Sequence, residues 1–200
     1  MYIGKMNIVP KREIFLRLRS EFQYYRLENK EIMTKVIFLD IDGVLNSNFW
    51  NADHQREISD GKYIDTEKVK LLSELVKKSG ASIILHSGWR FWFGVDLKPL
   101  RPEAEYLTSL LEKEGISVAG MTPNLTTEEI RRSKRFSKVK ADEILTWLKD
   151  HPDTERWVVL DDLELHNNSV AKCQVMTDAE QGLTEVDVEN ALKILSGEDR

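Results

Sequence analysis

A single cysteine, Cys173, in 200 residues excludes an internal disulfide framework and any cysteine-rich zinc site, and it favours a reducing compartment. Histidine is scarce as well, and His54 and His86 have no cysteine or histidine partner at ligand spacing, so they are read as structural or loop residues and no zinc centre is expected. Long apolar runs are missing: nothing approaches the roughly 18 to 20 consecutive apolar residues of a membrane span. The amino terminus has no apolar signal core. A soluble, cytoplasmic protein without a membrane partner is therefore expected. Internal repeats, low-complexity tracts and Gly/Ser-rich or Pro-rich linkers are absent too, which argues against two tethered folded domains. The net charge of −5 excludes a generally basic coat for nucleic acid, but it leaves room for local positive patches.

What is present organises around Val36-Ile37-Phe38-Leu39-Asp40-Ile41-Asp42-Gly43-Val44-Leu45-Asn46. The apolar run reads as a strand buried on both faces, as in parallel sheets. It stops on two carboxylates one residue apart, which repel unless something positive lies between them; a divalent cation and a phosphoryl group are the economical explanation. Alternatives exist for this stretch alone. An EF-hand loop starting at Asp40 would need an acidic ligand where Asn51 stands. The Asp-x-Asp pair of a metal-dependent glycosyltransferase and a simple capped turn also fit it, and the rest of the chain has to decide.

With 41% hydrophobic residues, the chain can bury a real core as one α/β domain. Residues 1–32 read as an amino-terminal helical extension with a basic amphipathic pattern, and residues 33–200 as the main domain. Residues 46–62 look like an exposed loop or short hairpin. A helix follows from a cap at Asp65 or Thr66 to Gly80, then a strand over 81–85 ending in His86-Ser87-Gly88-Trp89-Arg90. Pro102 opens a helix that closes at Gly115, and Ile116 to Ala119 supplies a third strand. A polar connection over 122–135 leads through Lys138 and Lys140 into a helix bearing Ile144, Leu145, Trp147 and Leu148. Trp157 to Leu160 forms a fourth strand and halts on Asp161-Asp162; a short strand near Gln174 to Met176 and a helix over 184–195 close the chain. This alternation is that of a Rossmann-like, doubly wound parallel sheet.

Several strands thus end in groups suited to one reaction: Asp40 and Asp42, then Ser87, then Asp161 and Asp162, with Lys140 at the start of a preceding helix. Clustered carboxylates call for a hard cation, and Mg²⁺ fits best. Hydrolysis of a phosphate monoester needs a rate factor that reaches ~10²¹. Asp40 is placed to attack phosphorus, and Asp42 to protonate the leaving oxygen and later to deprotonate water. Ser87 and nearby backbone N–H groups, with Gly43 and Gly88 beside them, would hold the phosphoryl oxygens. Lys140 would offset their charge, and Lys138, two residues earlier, is the competing choice.

These four motifs, in order, resemble those of the haloacid dehalogenase (HAD) superfamily of phosphotransferases: Asp40-Ile41-Asp42-Gly43-Val44-Leu45, Ser87, Lys140 and Asp161-Asp162. More narrowly, the first motif extended from Phe38 to Asn46, His86-Ser87-Gly88-Trp89-Arg90, Val158-Val159-Leu160-Asp161-Asp162 and Gln181-Gly182-Leu183-Thr184 resemble the HAD domain of Swiss Army Knife RNA repair proteins. The resemblance implies a metal held by the Asp40 side chain, the Asp42 backbone carbonyl and one of Asp161 and Asp162. It also implies end-processing of nucleic acid.

No gap between the motifs is long enough for a cap domain, so the site is expected to be open, with a minimal cap or none. An open site suits a large substrate such as phosphorylated DNA or RNA ends. The basic run Arg131-Arg132-Ser133-Lys134-Arg135 and the aromatics Trp50, Trp89, Phe91, Trp92 and Phe93 tilt in the same direction, because bases stack on aromatic rings. Each also has a plainer reading, the charge run as a solvated face and Trp89, Phe91 and Phe93 as core. Arg90, Arg131, Arg132, Lys138, Trp50 and Trp89 are therefore the substrate-side candidates. The competing functions are a small-molecule or nucleotide phosphatase of the same superfamily, and a binding module that keeps phosphate affinity without turnover.

Overall fold

The computed structural model describes residues 34–133 and 136–198. The expected helical extension over 1–32 lies outside the described residues. The apolar run forms strand β1, Lys35–Leu39, at the centre of a five-stranded, wholly parallel sheet. β2 is Ser82–Leu85, β3 Val118–Met121, β4 Arg156–Asp161 and β5 Gln174–Met176, in the order β3-β2-β1-β4-β5. The chain builds outward from β1 on one side and then returns to add β4 on the other. The crevice beside β1 is therefore a topological switch point, where ligands of such sheets bind.

Two-residue periodicity divides β1 between two cores. Ile37 and Leu39 enter one with Val69, Leu72 and Leu75 of helix α3, Thr66–Ser79. Val36 and Phe38 enter the other with Ala141, Ile144 and Trp147 of helix α6, Phe136–Asp150. There the Phe38 and Trp147 rings meet edge to face with centroids 5.3 Å apart. Helix α4, Pro102–Lys113, and helix α8, Glu185–Ser196, complete the first layer. Asp65 caps α3 by accepting the Glu67 N–H, and Thr184 and Asp187 cap α8 reciprocally.

Three local readings are corrected. Residues 46–62 hold two short helices, α1 Asn48–Asp53 and α2 Gln55–Ser59, started by the Ser47 side chain accepting from Trp50 N–H. The third strand begins at Val118 rather than Ile116, because Ile116 is drawn back by donating to the Leu111 carbonyl at 3.0 Å and is itself buried. The 122–135 connection contains helix α5, Glu128–Ser133, and a further short helix, α7 Asn168–Ala171, precedes β5. Among the described residues the segments between the motifs hold only strands and helices of the sheet layers and short helices such as α1, α2 and α5, so no inserted domain roofs the crevice. No described helix is long and apolar enough to cross a membrane.

Candidate active site

The pairing of β1 with β4 continues one step beyond the strand, as Asp40 N–H donates to the Leu160 carbonyl at 2.9 Å. Asp40 thereby stands beside Asp161, the last residue of β4. On the other side Leu39 pairs with Leu85, and His86 N–H donates to the Leu39 carbonyl at 2.8 Å, which brings Ser87 to the same edge. Sheet register alone thus collects three of the four motifs. The fourth comes from α6, whose Lys140 ammonium reaches Asp40 at 2.5 Å and Asp161 at 2.6 Å. Lys138, two residues earlier, is exposed, and Lys140 is the lysine that reaches these carboxylates.

Asp40, Asp161 and Asp162 each bring a carboxylate oxygen within 4.8 Å of the others. Burial and the neighbouring Asp40 charge raise Asp161 to about 7, against the pull of Lys140. Asp162 is also raised, by burial and by Asp40. Burial works against the Lys140 ammonium, but attraction to Asp40 and Asp161 outweighs it and its pKa is raised. One ammonium serving three crowded carboxylates leaves a shortage of positive charge. A set of hard oxygen donors in that condition fits a divalent cation of the Mg²⁺ type.

The turn after Asp40 is braced from several directions. Asn46 accepts the Gly43 N–H and donates to the Asp42 carboxylate, both at 3.0 Å. Thr177, just past β5, donates its hydroxyl to the Gly43 carbonyl at 2.8 Å. Gly43 has φ +73°, and a Cβ there would lie 2.5 Å from Asp162 Cγ, so glycine is required both for conformation and for the approach of Asp162. The Asp42 carboxylate faces solvent and accepts the Trp89 indole N–H at 3.2 to 3.3 Å.

Ser87 is fully buried and caps a 3₁₀ turn, Gly88–Trp92, by accepting the Trp89 N–H at 3.3 Å. His86 beneath it is held well below its usual pKa by burial, then by Lys140 and Arg90, so it is neutral; its Nδ1 contacts the Thr122 hydroxyl at 3.2 Å. Arg90 is buried, donating to the Ser87 carbonyl at 2.9 Å and to Glu143 at 2.7 Å. Glu143 also accepts the Leu125 N–H at 2.9 Å, which ties the connection before α5 to the same pair. Burial raises the Glu143 pKa despite Arg90 and lowers that of Arg90 despite Glu143, as expected of an ion pair drawn out of water.

A cleft of about 660 Å³ opens over Asp40, Asp42, Lys140 and Asp162 and runs out past Gly88, Phe91 and Arg131. The substrate-side candidates divide accordingly. Gly88, Arg90 and Arg131 line this cleft, although the Arg90 guanidinium is committed to Ser87 and Glu143. Trp50, Arg132 and Lys138 are not among the residues lining it. The Trp50 ring instead stacks on His54 with centroids 4.5 Å apart. Trp89 is buried and serves Asp42 rather than offering a face for stacking, and Phe93 is buried with it.

Asn46, Thr177 and Glu143, the partner of Arg90, were not singled out by sequence as site residues. Glu143 left one signal: it stands three residues after Lys140 on one helical face, a carboxylate among Val139, Ile144 and Trp147. A family model, described as the HAD domain in Swiss Army Knife RNA repair proteins, matches residues 36–188, which include every motif named above. No curated protein and no solved structure matches significantly.

Proposed function

The chain belongs to the family of HAD domains in Swiss Army Knife RNA repair proteins, and from that premise we propose a Mg²⁺-dependent phosphohydrolase that acts through an aspartyl phosphate on phosphorylated nucleic-acid ends. The superfamily is one of phosphohydrolases, and the acidic cluster can bind a metal. The observation that carries the rest is the bridging of Asp40 and Asp161 by Lys140 at the head of the sheet, with Asp162 in the same cluster and Asp42 two residues on.

Asp40 is the nucleophile. Its carboxylate attacks phosphorus, the bond from phosphorus to the leaving oxygen breaks, and Asp42 gives that oxygen a proton. Water then attacks the phosphorus of the acyl phosphate; Asp42 takes its proton, and free phosphate and the Asp40 carboxylate are restored. Trp89 and Asn46 aim Asp42 for both transfers. Ser87 and the N–H groups of its turn receive the equatorial oxygens. An ammonium has three donors, two of which Lys140 gives to Asp40 and Asp161, and the third is directed to a phosphoryl oxygen. Mg²⁺ held by the Asp40 side chain, the Asp42 carbonyl and an aspartate of the Asp161-Asp162 pair would neutralise charge on the transferred group.

The family's association with RNA repair, the cleft left unroofed by any inserted domain, and Arg131 at its rim support nucleic-acid ends as substrate. The cleft's modest volume favours a second reading, hydrolysis of nucleotides or other small phosphate esters. Phosphate release from an aryl phosphate, from nucleoside monophosphates and from DNA and RNA oligonucleotides phosphorylated at either end, with and without Mg²⁺, separates the two. Highest kcat/KM on oligonucleotides, lost without the metal, is expected. Equal or better turnover of mononucleotides establishes the second reading instead.

A further inference from the structure

Large apolar side chains rarely stay exposed together beside a charged site without a ligand to cover them. Here Phe91, Phe136 and Leu163 are 50%, 39% and 40% exposed, and all three line the cleft that holds Asp40 and Lys140. None was placed in the chemistry above. Phe91 is held firmly, because the Arg90 guanidinium lies over its ring at 4.6 Å and is itself fixed by Ser87 and Glu143. One ring face is thus occupied by a buried cation, and the residue remains half exposed on a rigid base.

The placement of the two rings in sequence gives them a metric relation to the phosphoryl site. Phe91 sits on the 3₁₀ turn that Ser87 caps, and Phe136 lies one helical turn before Lys140 on α6. Each apolar wall is therefore built within one turn of chain from a group assigned to receive phosphate. Beyond them stands Arg131, tied only loosely to Glu128 at 3.5 Å in an exposed pair that contributes little and is easily exchanged for another anion. A volume of about 660 Å³ suits one nucleotide-sized ligand and leaves no room for a stacked base pair as well.

The geometry points to a base-binding subsite in which the terminal nucleotide, unstacked from its neighbour, lies against Phe91 and Phe136 while Arg131 receives the next phosphodiester. This rests on the reading of the site as a phosphohydrolase for nucleic-acid ends and specifies which ends it takes: unpaired ones. A phosphotyrosyl side chain would also bring a ring and a phosphate, but it offers Arg131 no second phosphate, so nucleic acid is the better match.

The test compares kcat/KM for single-stranded oligonucleotides whose phosphorylated terminal residue carries a base or is abasic, for the same end in a blunt duplex, and for a phosphotyrosyl peptide. Stacking on an aromatic platform corresponds to roughly 5- to 150-fold per base. The wild-type chain is expected to prefer the base over the abasic end by such a factor and the unpaired over the blunt end. Phe91→Ala and Phe136→Ala should each move the base-to-abasic ratio toward one. Binding of oligonucleotides ending in a non-hydrolysable methylenephosphonate, with and without the terminal base, reads the subsite without turnover. Hydrolysis of oligonucleotides with no base preference overturns the subsite and leaves the phosphohydrolase reading intact. Base-dependent binding of the phosphonate with no hydrolysis of any ester overturns the phosphohydrolase reading and leaves the subsite. Preference for the phosphotyrosyl peptide overturns the nucleic-acid assignment of the subsite.

Discussion

Replacing Lys140 by methionine tests the electrostatic core of the site with the stem length kept. The Lys140 side chain is only 12% exposed and those of its partners Asp40 and Asp161 are 8% and 0% exposed, so both carboxylates depend on it for a counter-charge. Breaking a buried pair by removing one partner costs about 3 to 5 kcal/mol, and at about 2 to 4 °C per kcal/mol for a chain of this size the melting temperature should fall by about 6 to 20 °C. The loss should depend on pH in a defined sense. Asp161 is raised from 3.8 to about 7 on folding, so the folded state holds a proton that the unfolded state has released; this stabilisation is complete below about 4 and disappears as pH rises through about 7. Without Lys140, which holds the Asp161 pKa down, Asp161 keeps its proton to higher pH and the variant goes on losing stability where the wild type has levelled off, so the gap between them should widen between about pH 6 and about pH 9. Thermal melts in EDTA across that range measure it, and added Mg²⁺ should restore more stability to the variant than it adds to the wild type. A gap that stays constant with pH, or a variant as stable as the wild type in EDTA, would refute the reasoning.

Other expectations follow from single contacts. Gly43→Ala places a Cβ 2.5 Å from Asp162 Cγ at φ +73°, so it should lose about 1 to 3 kcal/mol in denaturant titration and weaken Mg²⁺ binding by displacing Asp162. A Mg²⁺ held by Asp161 would expel its proton, so affinity in calorimetry should climb by up to about tenfold per pH unit below about 7 and level off above it. Trp89→Phe keeps the buried ring but deletes the N–H that Asp42 accepts. It should slow alkyl phosphates, whose leaving oxygen needs a proton, by about tenfold, and aryl phosphates much less.

The strands and the polar residues gathered at their ends were legible because a buried parallel strand is an uninterrupted apolar run, and because Asp40, Ser87 and Asp161 break those runs at their carboxyl ends. The long helices declared themselves through caps such as Asp65 and through spacing such as Leu72 to Leu75. Helices α1 and α2 were hidden because five or six residues carry too little periodicity to register. Lys138 and Lys140 stayed competitors in sequence because only the phase of α6, which buries Val139 and Glu143, half-buries Lys140 and leaves Lys138 exposed, shows which of them reaches the carboxylates. The inward commitments of Trp89 and Arg90 were hidden for a similar reason. The tight 3₁₀ turn folds both side chains inward, one to Asp42 and one to Glu143, and leaves the next residue, Phe91, exposed. Partners 47 and 53 residues apart leave no local trace in sequence.

The central claim is that the Asp40 carboxylate takes the phosphoryl group, and trapping that adduct tests it most directly. Acid-quenching the enzyme during turnover of a good aryl phosphate, reducing it with borohydride and sequencing its peptides by mass spectrometry should show homoserine at position 40, formed from the acyl phosphate. Asp40→Asn should yield no adduct and lose at least about 10⁴-fold in kcat. Phosphate release that persists at the wild-type rate in Asp40→Asn, or homoserine found at Asp42 or Asp161 instead, would contradict the account.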